Sequence, residues 1–289
     1  MEERVRVPPG IHHRVPEVTM RKRNSLGVSL ACITAVAVTA HAQEATDADA
    51  LAKKLSNPVA ALISVPLQLN YDDGFGPGGY GERWTLNIQP VVPIELNEDW
   101  NVISRTIVPL IAQEDVFTFD RRQSGLGDIV QSVFFSPKEP TSTGWIWGAG
   151  PVFLLPTATD DLLGAEQWGL GPTGVALKQT EDGWTYGALA NHIWSVAGDD
   201  SRSDVNATFL QPFLSKAYSG GRTLTLNMES TYDWESSQWN VPVNLLYSKV
   251  TKFGNQLVSI GGGARFYVES PDGGPDWGLR FVVTLLYPR

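Results

Sequence analysis

The sequence has one cysteine, Cys32, and four histidines in 289 residues. Cys32 and three of the histidines precede residue 43, so His192 is the only histidine in the rest of the chain. That excludes a zinc site of His and Cys ligands and a disulfide framework. A Ser-His-Asp site would have to be built on His192. Charge is sparse, at 18% of residues against a usual ~25%. The balance is acidic, with a formal net charge of −9, which argues against a nucleic-acid partner. After residue 42 no run reaches 18 apolar residues, so no helical membrane span is encoded there. Aromatics are plentiful, with Trp 10, Tyr 8 and Phe 11, too many for a disordered chain.

The N-terminus reads as a targeting segment. Arg21, Lys22 and Arg23 form a basic region, Leu26 to Thr39 is apolar, and Ala40-His41-Ala42 has the small-x-small form that a signal peptidase reads. Met20 is then the expected start, and residues 1–42 are an over-extended N-terminus plus a cleaved signal peptide. The remaining 247 residues carry 16 basic and 28 acidic side chains and no cysteine. Residues 43–58 form a second region, in which Leu51, Ala52 and Leu55 read as a short periplasmic helix stopped by Pro58. Three placements are open to that helix, across the periplasmic mouth, plugging the lumen or loose, and the default expectation is a loose segment.

From residue 59 onward the signal is strict alternation. Trp277, Leu279, Phe281, Val283, Leu285 and Tyr287 alternate with Gly278, Arg280, Val282, Thr284 and Leu286. Four further segments, starting at Val59, Trp84, Thr223 and Trp239, repeat the pattern. They run for about 11–13 residues, where soluble strands average ~5–6. Crossing a bilayer with a tilted strand takes ~9–11 residues. With seven fainter segments the count is twelve, and an even number suits a closed bacterial barrel with both termini periplasmic. The fold expected over 59–289 is an all-β, closed antiparallel transmembrane barrel.

Two more patterns agree. From a periplasmic start, the longer connections fall on the outward side and collect Asp72-Asp73, Glu114-Asp115, Asp160-Asp161 and Asp199-Asp200. Tyr71, Trp84, Trp194, Trp234, Trp239 and Trp277 lie near outward strand ends, and Trp100, Trp145, Trp184 and Tyr287 near inward ends, as two interfacial girdles. Pro66, Pro90, Pro93, Pro109, Pro151, Pro156, Pro172, Pro212 and Pro242 fall in or beside the strands, and several are expected to mark bulges or strand ends.

The alternation turns Arg83, Arg105, Asp128, Glu229, Asp233, Arg265, Glu269 and Arg280 toward the lumen. There they either set which solutes pass or pair to hold a narrow lumen packed. His192 and Ser195 are three apart on a strand, hence on opposite faces, and do not make a base and nucleophile. Gly125-Leu126-Gly127-Asp128 and similar clusters precede no helix, so they are read as strand glycines and not as phosphate loops. No metal or cofactor is expected; the paired acids of the outward loops lack calcium-loop spacing and read as a solvated rim.

Several segments carry a resemblance: Leu51-Ala-Lys-Lys-Leu-Ser-Asn-Pro-Val-Ala60, Leu86-Asn-Ile-Gln-Pro90, Phe134-Phe-Ser-Pro-Lys138, Gly150-Pro-Val-Phe-Leu-Leu-Pro-Thr-Ala-Thr159 and Glu229-Ser-Thr-Tyr-Asp-Trp234. They resemble bacterial outer-membrane barrel transporters often labelled neuromedin U, related to the barrel family of meta-pathway phenol degradation. The resemblance covers residues 50–289 and implies a Gram-negative outer-membrane location and solute passage, with hydrophobic or aromatic compounds among the solutes. It supplies no catalytic residues. The chain departs from a common barrel ending, because Pro288-Arg289 follow the aromatic Tyr287.

The function expected is therefore a non-enzymatic outer-membrane channel or porin for small solutes. Its expected partners are outer-membrane lipids, lipopolysaccharide and the barrel assembly machinery. The rival readings are a lipid-acting barrel enzyme with His192 as base and a non-conducting structural barrel.

Overall fold

The structure, a computed structural model, describes residues 47–288. The expected start at Met20, Cys32 and the cleavage after Ala42 lie outside them.

Twelve strands form the wall, eight whole and four split in two. In chain order they are β1 (Ile63–Phe75), β2 (Gly81–Ile88) with β3 (Val91–Glu95), and β4 (Trp100–Glu114). Next come β5 (Arg122–Leu126) with β6 (Ile129–Pro137), β7 (Trp145–Leu155), β8 (Gln167–Gln179), β9 (Trp184–Gly198) and β10 (Asn206–Tyr218). The last are β11 (Arg222–Met228) with β12 (Ser230–Asp233), β13 (Gln238–Asn240) with β14 (Pro242–Phe253), β15 (Gln256–Tyr267) and β16 (Trp277–Tyr287). Each pairs antiparallel with its sequence neighbours, and β16 pairs β1 from Ile63↔Tyr287 to Asp73↔Trp277, which closes the cylinder. Closure leaves no edge with unpaired N–H and C=O groups.

The prolines explain the splits. β2 gives way to β3 across Gln89-Pro90, and β5 to β6 opposite Pro109, which accepts from Gly127 N–H at 2.9 Å but has no N–H to return. The β11–β12 break lies opposite Pro212 and Pro242. The register is the same on both sides of it, Leu210↔Ser230 and Phe213↔Asn227. Across Pro90, Pro212 and Pro242 the ladder therefore breaks in register at strand ends, whereas opposite Pro109 the pairing moves by one residue, from Leu110↔Leu126 to Ile107↔Val130, which is the bulge expected. Two further register shifts, at Asp73/Phe75 and Trp168/Gly169, lie toward the outward end.

Alternation decides which side chains face out. Leu245, Ile260 and Phe281 are each about half exposed, at 51%, 49% and 53%. Their in-strand neighbours Asn244 and Arg280 are 0% and 1% exposed. An apolar exterior around a polar interior inverts the pattern of a water-soluble sheet and is what a lipid surround requires. The aromatic girdles are present: Tyr71 meets Trp84 and Trp277 at the outward end, and Trp145 meets Tyr186 at the inward end.

The N-terminal segment is not loose. Residues 47–55 are helical and lie inside the inward mouth. Leu51 and Ala52 are buried against Val250 and Leu286. Asp49 accepts from Gly221 N–H at 2.6 Å, Lys53 Nζ donates to Thr180 O at 3.1 Å, and Gln179 Nε2 donates to Lys53 O at 2.7 Å. Val59 belongs to this segment and not to the wall: it is buried among Ile103, Phe134, Leu177 and Leu189. The chain thus crosses the mouth from one wall to another, and β1 begins only at Ile63.

The exterior assignment is checked by substitution. Phe281→Arg, mid-strand on the apolar face, is expected to destabilise the protein refolded into lipid vesicles by about 2–4 kcal/mol, read as a lowered denaturant midpoint. Trp277→Arg, at the interface, is expected to cost about 1 kcal/mol or less.

Candidate functional site, the polar lumen

Five of the eight sequence-designated residues meet inside the barrel. Arg280 on β16 grips Glu229, at the β11–β12 break, with two hydrogen bonds of 2.7 Å each. Two wall strands, β14 and β15, separate these partners, so the pair is a chord across the lumen. Arg280 Nε also donates to Asn70 Oδ1 at 2.7 Å, and Gln211 Nε2 reaches Glu229 Oε1 at 3.4 Å. Arg265 pairs with Asp72, Nε to Oδ1 at 3.4 Å, and Tyr267 Oη donates to the same carboxylate at 2.9 Å. Arg83 donates to Gln113 Oε1 at 2.7 Å and lies over the Phe75 ring, and Gln113 continues the chain to Gln123 at 3.0 Å. Arg105 donates to Gln89 Oε1 at 3.0 Å.

The result is a hydrogen-bonded belt on one side of the lumen. It is built as a low-dielectric interior demands, with charges paired or held by amides. Four guanidinium groups (Arg83, Arg105, Arg265, Arg280) face two carboxylates (Asp72, Glu229), so the belt is cationic in a chain of net charge −9.

Three designated residues do other work. Asp128 does not line the cavity; its carboxylate accepts from the N–H groups of Ala158 at 3.1 Å and Ala165 at 2.6 Å. It thereby ties down the outward loop 156–166, assisted by Thr159 and Thr157, which accept from the Leu126 and Ile129 N–H groups at 3.1 and 3.0 Å. Gly125 and Gly127 are glycines for the same reason: a Cβ on Gly125 would lie 2.1 Å from Thr159 Oγ1, and one on Gly127 3.2 Å from Leu163 O. Asp233 caps its own turn, accepting from Glu235 N–H at 2.9 Å and Ser236 Oγ at 2.7 Å. Glu269 is exposed beyond the end of β15.

Sequence reasoning missed Asp72, Asn70, Tyr267, Gln89 and Gln113. Asp72 was expected in an outward loop but is 5% exposed within β1. The signal was present, since Gln68, Asn70 and Asp72 continue one alternation. What hid it was reading an acidic pair as a turn when only Asp73 faces out.

His192 and Ser195 are on opposite faces, as their spacing requires. Ser195 Oγ accepts from Val205 N–H at 2.6 Å. His192 Nδ1 is 2.7 Å from Thr208 Oγ1 on the exterior, and its ring packs on Trp194 at 4.1 Å. Thr208 also accepts from Trp234 Nε1 at 2.8 Å. The arrangement is an interfacial clamp with no nucleophile–base geometry in it.

An internal cavity of about 610 Å³ lies beside the belt. It begins at Leu55, Asn57 and Ala60 of the N-terminal segment and reaches Val205 and Thr231 at the outward ends of β10 and β12.

Breaking the chord tests whether it is structural. Glu229→Gln and Arg280→Gln are each expected to cost about 3 kcal/mol in denaturant unfolding, because each strands the other's charge. The double variant is expected to lose less than the sum. Asp128→Ala should leave the barrel folded while limited proteolysis cuts within 156–166 at least about five-fold faster.

No family model matches the chain, and no curated protein matches it. Among solved structures it is similar to the COG4313 outer membrane channel from Pseudomonas putida F1, with a TM-score of 0.62 and 12% identity over 78% of this chain and 96% of that one. At that identity the likeness is one of fold: a closed twelve-stranded antiparallel β-barrel of the outer-membrane channel type.

Proposed function

We propose that the chain is a narrow channel of the Gram-negative outer membrane that passes small solutes. The observation that carries this reading is the cavity of about 610 Å³ running beside the belt inside a barrel with an apolar exterior. Twelve strands fall between the filled eight-stranded barrel and the open sixteen-stranded porin, which suits a restricted passage. The likeness to an outer membrane channel supports the same reading. The resembling segments, Leu51 to Ala60 and Gly150 to Thr159 among them, support placing it with the outer-membrane barrel transporters related to the meta-pathway family. The same reading supplies the signal peptide cleaved after Ala42, the assembly machinery as inserting partner and lipopolysaccharide as outer-leaflet neighbour.

The cationic belt gives the passage a sign. Charges at a constriction lined by protein are weakly screened, so an excess of guanidinium favours anions. Recorded in planar bilayers across a potassium chloride gradient, the refolded protein is expected to conduct with a reversal potential on the anion side. Absence of any current from folded barrels would remove the channel reading.

A second reading, a non-conducting barrel, is favoured by one observation: residues 47–62 cross the inward mouth and are pinned at Gly221, Thr180 and Gln179. The two readings part on a variant lacking residues 47–57. A channel gated by that segment gains conductance several-fold, and a filled barrel stays silent.

A further inference from the structure

The charged network and the cavity overlap only in part: Gln89, Arg105, Gln211, Glu229 and Arg280 line the cavity, and the rest of the network does not. Asp72, Arg83, Arg265 and Tyr267 belong to β1, β2 and β15, and none of them lines the cavity. Past the belt, the cavity follows the opposite wall, where Phe213, Gln211, Phe209, Ala207 and Val205 succeed one another along or just before β10, flanked by Asn191, Ile193 and Leu154. That wall is largely apolar, interrupted by Asn191 and by Gln211, whose amide turns to Glu229, and the polar lumen of a general porin has no reason to be so.

Arg105 faces this largely apolar track without a dedicated counter-ion, and Lys54, exposed on the N-terminal segment, lines the inward end of the cavity. Arg105 lines the cavity, and its hydrogen-bond partner among the described residues is the neutral amide of Gln89 at 3.0 Å. Glu229, a carboxylate that also lines the cavity, has both oxygens engaged by Arg280 at 2.7 Å. Several of the five guanidinium donors therefore remain for a carboxylate arriving in the cavity.

Resting on the channel reading, we infer that the lumen holds a binding site for amphipathic monoanions: a small apolar body, aromatic in its best case, carrying a single carboxylate. The ring lies on the Phe209–Phe213 wall and the carboxylate on Arg105. A volume of about 610 Å³ is within the range of small-molecule sites and accommodates a one-ring acid with its remaining water. Both halves of the ligand are needed. An apolar body without charge leaves Arg105 unsatisfied, and a carboxylate without a body leaves the apolar wall to water. Neutral polar solutes gain nothing on either side.

The test uses the full barrel refolded in detergent, titrated calorimetrically with benzoate, acetate and benzyl alcohol, and the same protein in planar bilayers carrying chloride current. Benzoate is expected to bind, and to block the current, at least about ten-fold more tightly than acetate, which lacks the ring, or benzyl alcohol, which lacks the charge. Arg105→Gln is expected to weaken benzoate about ten-fold, while Arg105→Lys keeps it within about three-fold because the charge remains. Phe209→Ser is expected to weaken benzoate but not acetate. Heat-modified gel mobility confirms that each variant is folded. Equal affinity for benzoate and acetate, or unchanged benzoate affinity in folded Arg105→Gln, overturns the site. Chloride current without benzoate preference removes the site and keeps the channel; benzoate binding without current keeps the site and removes the channel.

Discussion

The structure depends on one constraint: no backbone N–H or C=O is left unpaired where water is absent. A sheet meets that requirement only by closing, and the β1–β16 ladder closes it over eleven residue pairs. Everything else follows from the cylinder so made. One face of every strand is committed to lipid and the other to a lumen too narrow to be simply water. The prolines show how far the constraint can be relaxed. Each removes a donor, yet beyond Pro90, Pro212 and Pro242 the ladder resumes in register, because neighbouring strands fix the alignment from both sides, and beyond Pro109 it resumes one residue over.

Filling the lumen is the second problem, and the chain solves it differently on its two sides. Across β1, β2, β15, β16 and β11, arginines, carboxylates and amides form a belt in which Glu229–Arg280 and Asp72–Arg265 bridge over intervening strands. Along β9 and β10 the inner face is largely apolar, interrupted by Asn191 and Gln211, and the space stays open. At the inward mouth the helical segment 47–55 brings its own apolar face, so Val250 and Leu286 are covered without being exposed to water. Belt, corridor and segment together set the width and chemistry of the passage. The wall merely holds them.

The extent to which this was legible varied with the range of the interaction. The strands were readable because a two-residue period is written locally, and Leu279-Arg280-Phe281 announces its two faces without any knowledge of the partner strand. Which side chains faced in was equally readable, and Arg83, Arg105, Glu229, Arg265 and Arg280 were found that way. What each does once inside was not. Asp128, on the same inward-facing pattern, spends its carboxylate on the N–H groups of Ala158 and Ala165, some thirty residues on. Asp72 looked like half of a turn until its arginine, on β15, came into place. The helix at 47–55 was visible as an element, but its docking rests on contacts with residues more than a hundred positions away.

The sequence alone therefore determined the class of object: a long-stranded, two-faced chain with no cysteine after residue 42 can satisfy its backbone and its apolar face only as a barrel in lipid. Tertiary structure alone decided which charges neutralise one another, which wall of the lumen stays apolar and where the N-terminal segment lodges. The reason is geometric. Facing is set by a residue's own position in its strand, whereas pairing across a lumen is set by the stagger of strands far apart in sequence, and that appears only when the cylinder closes.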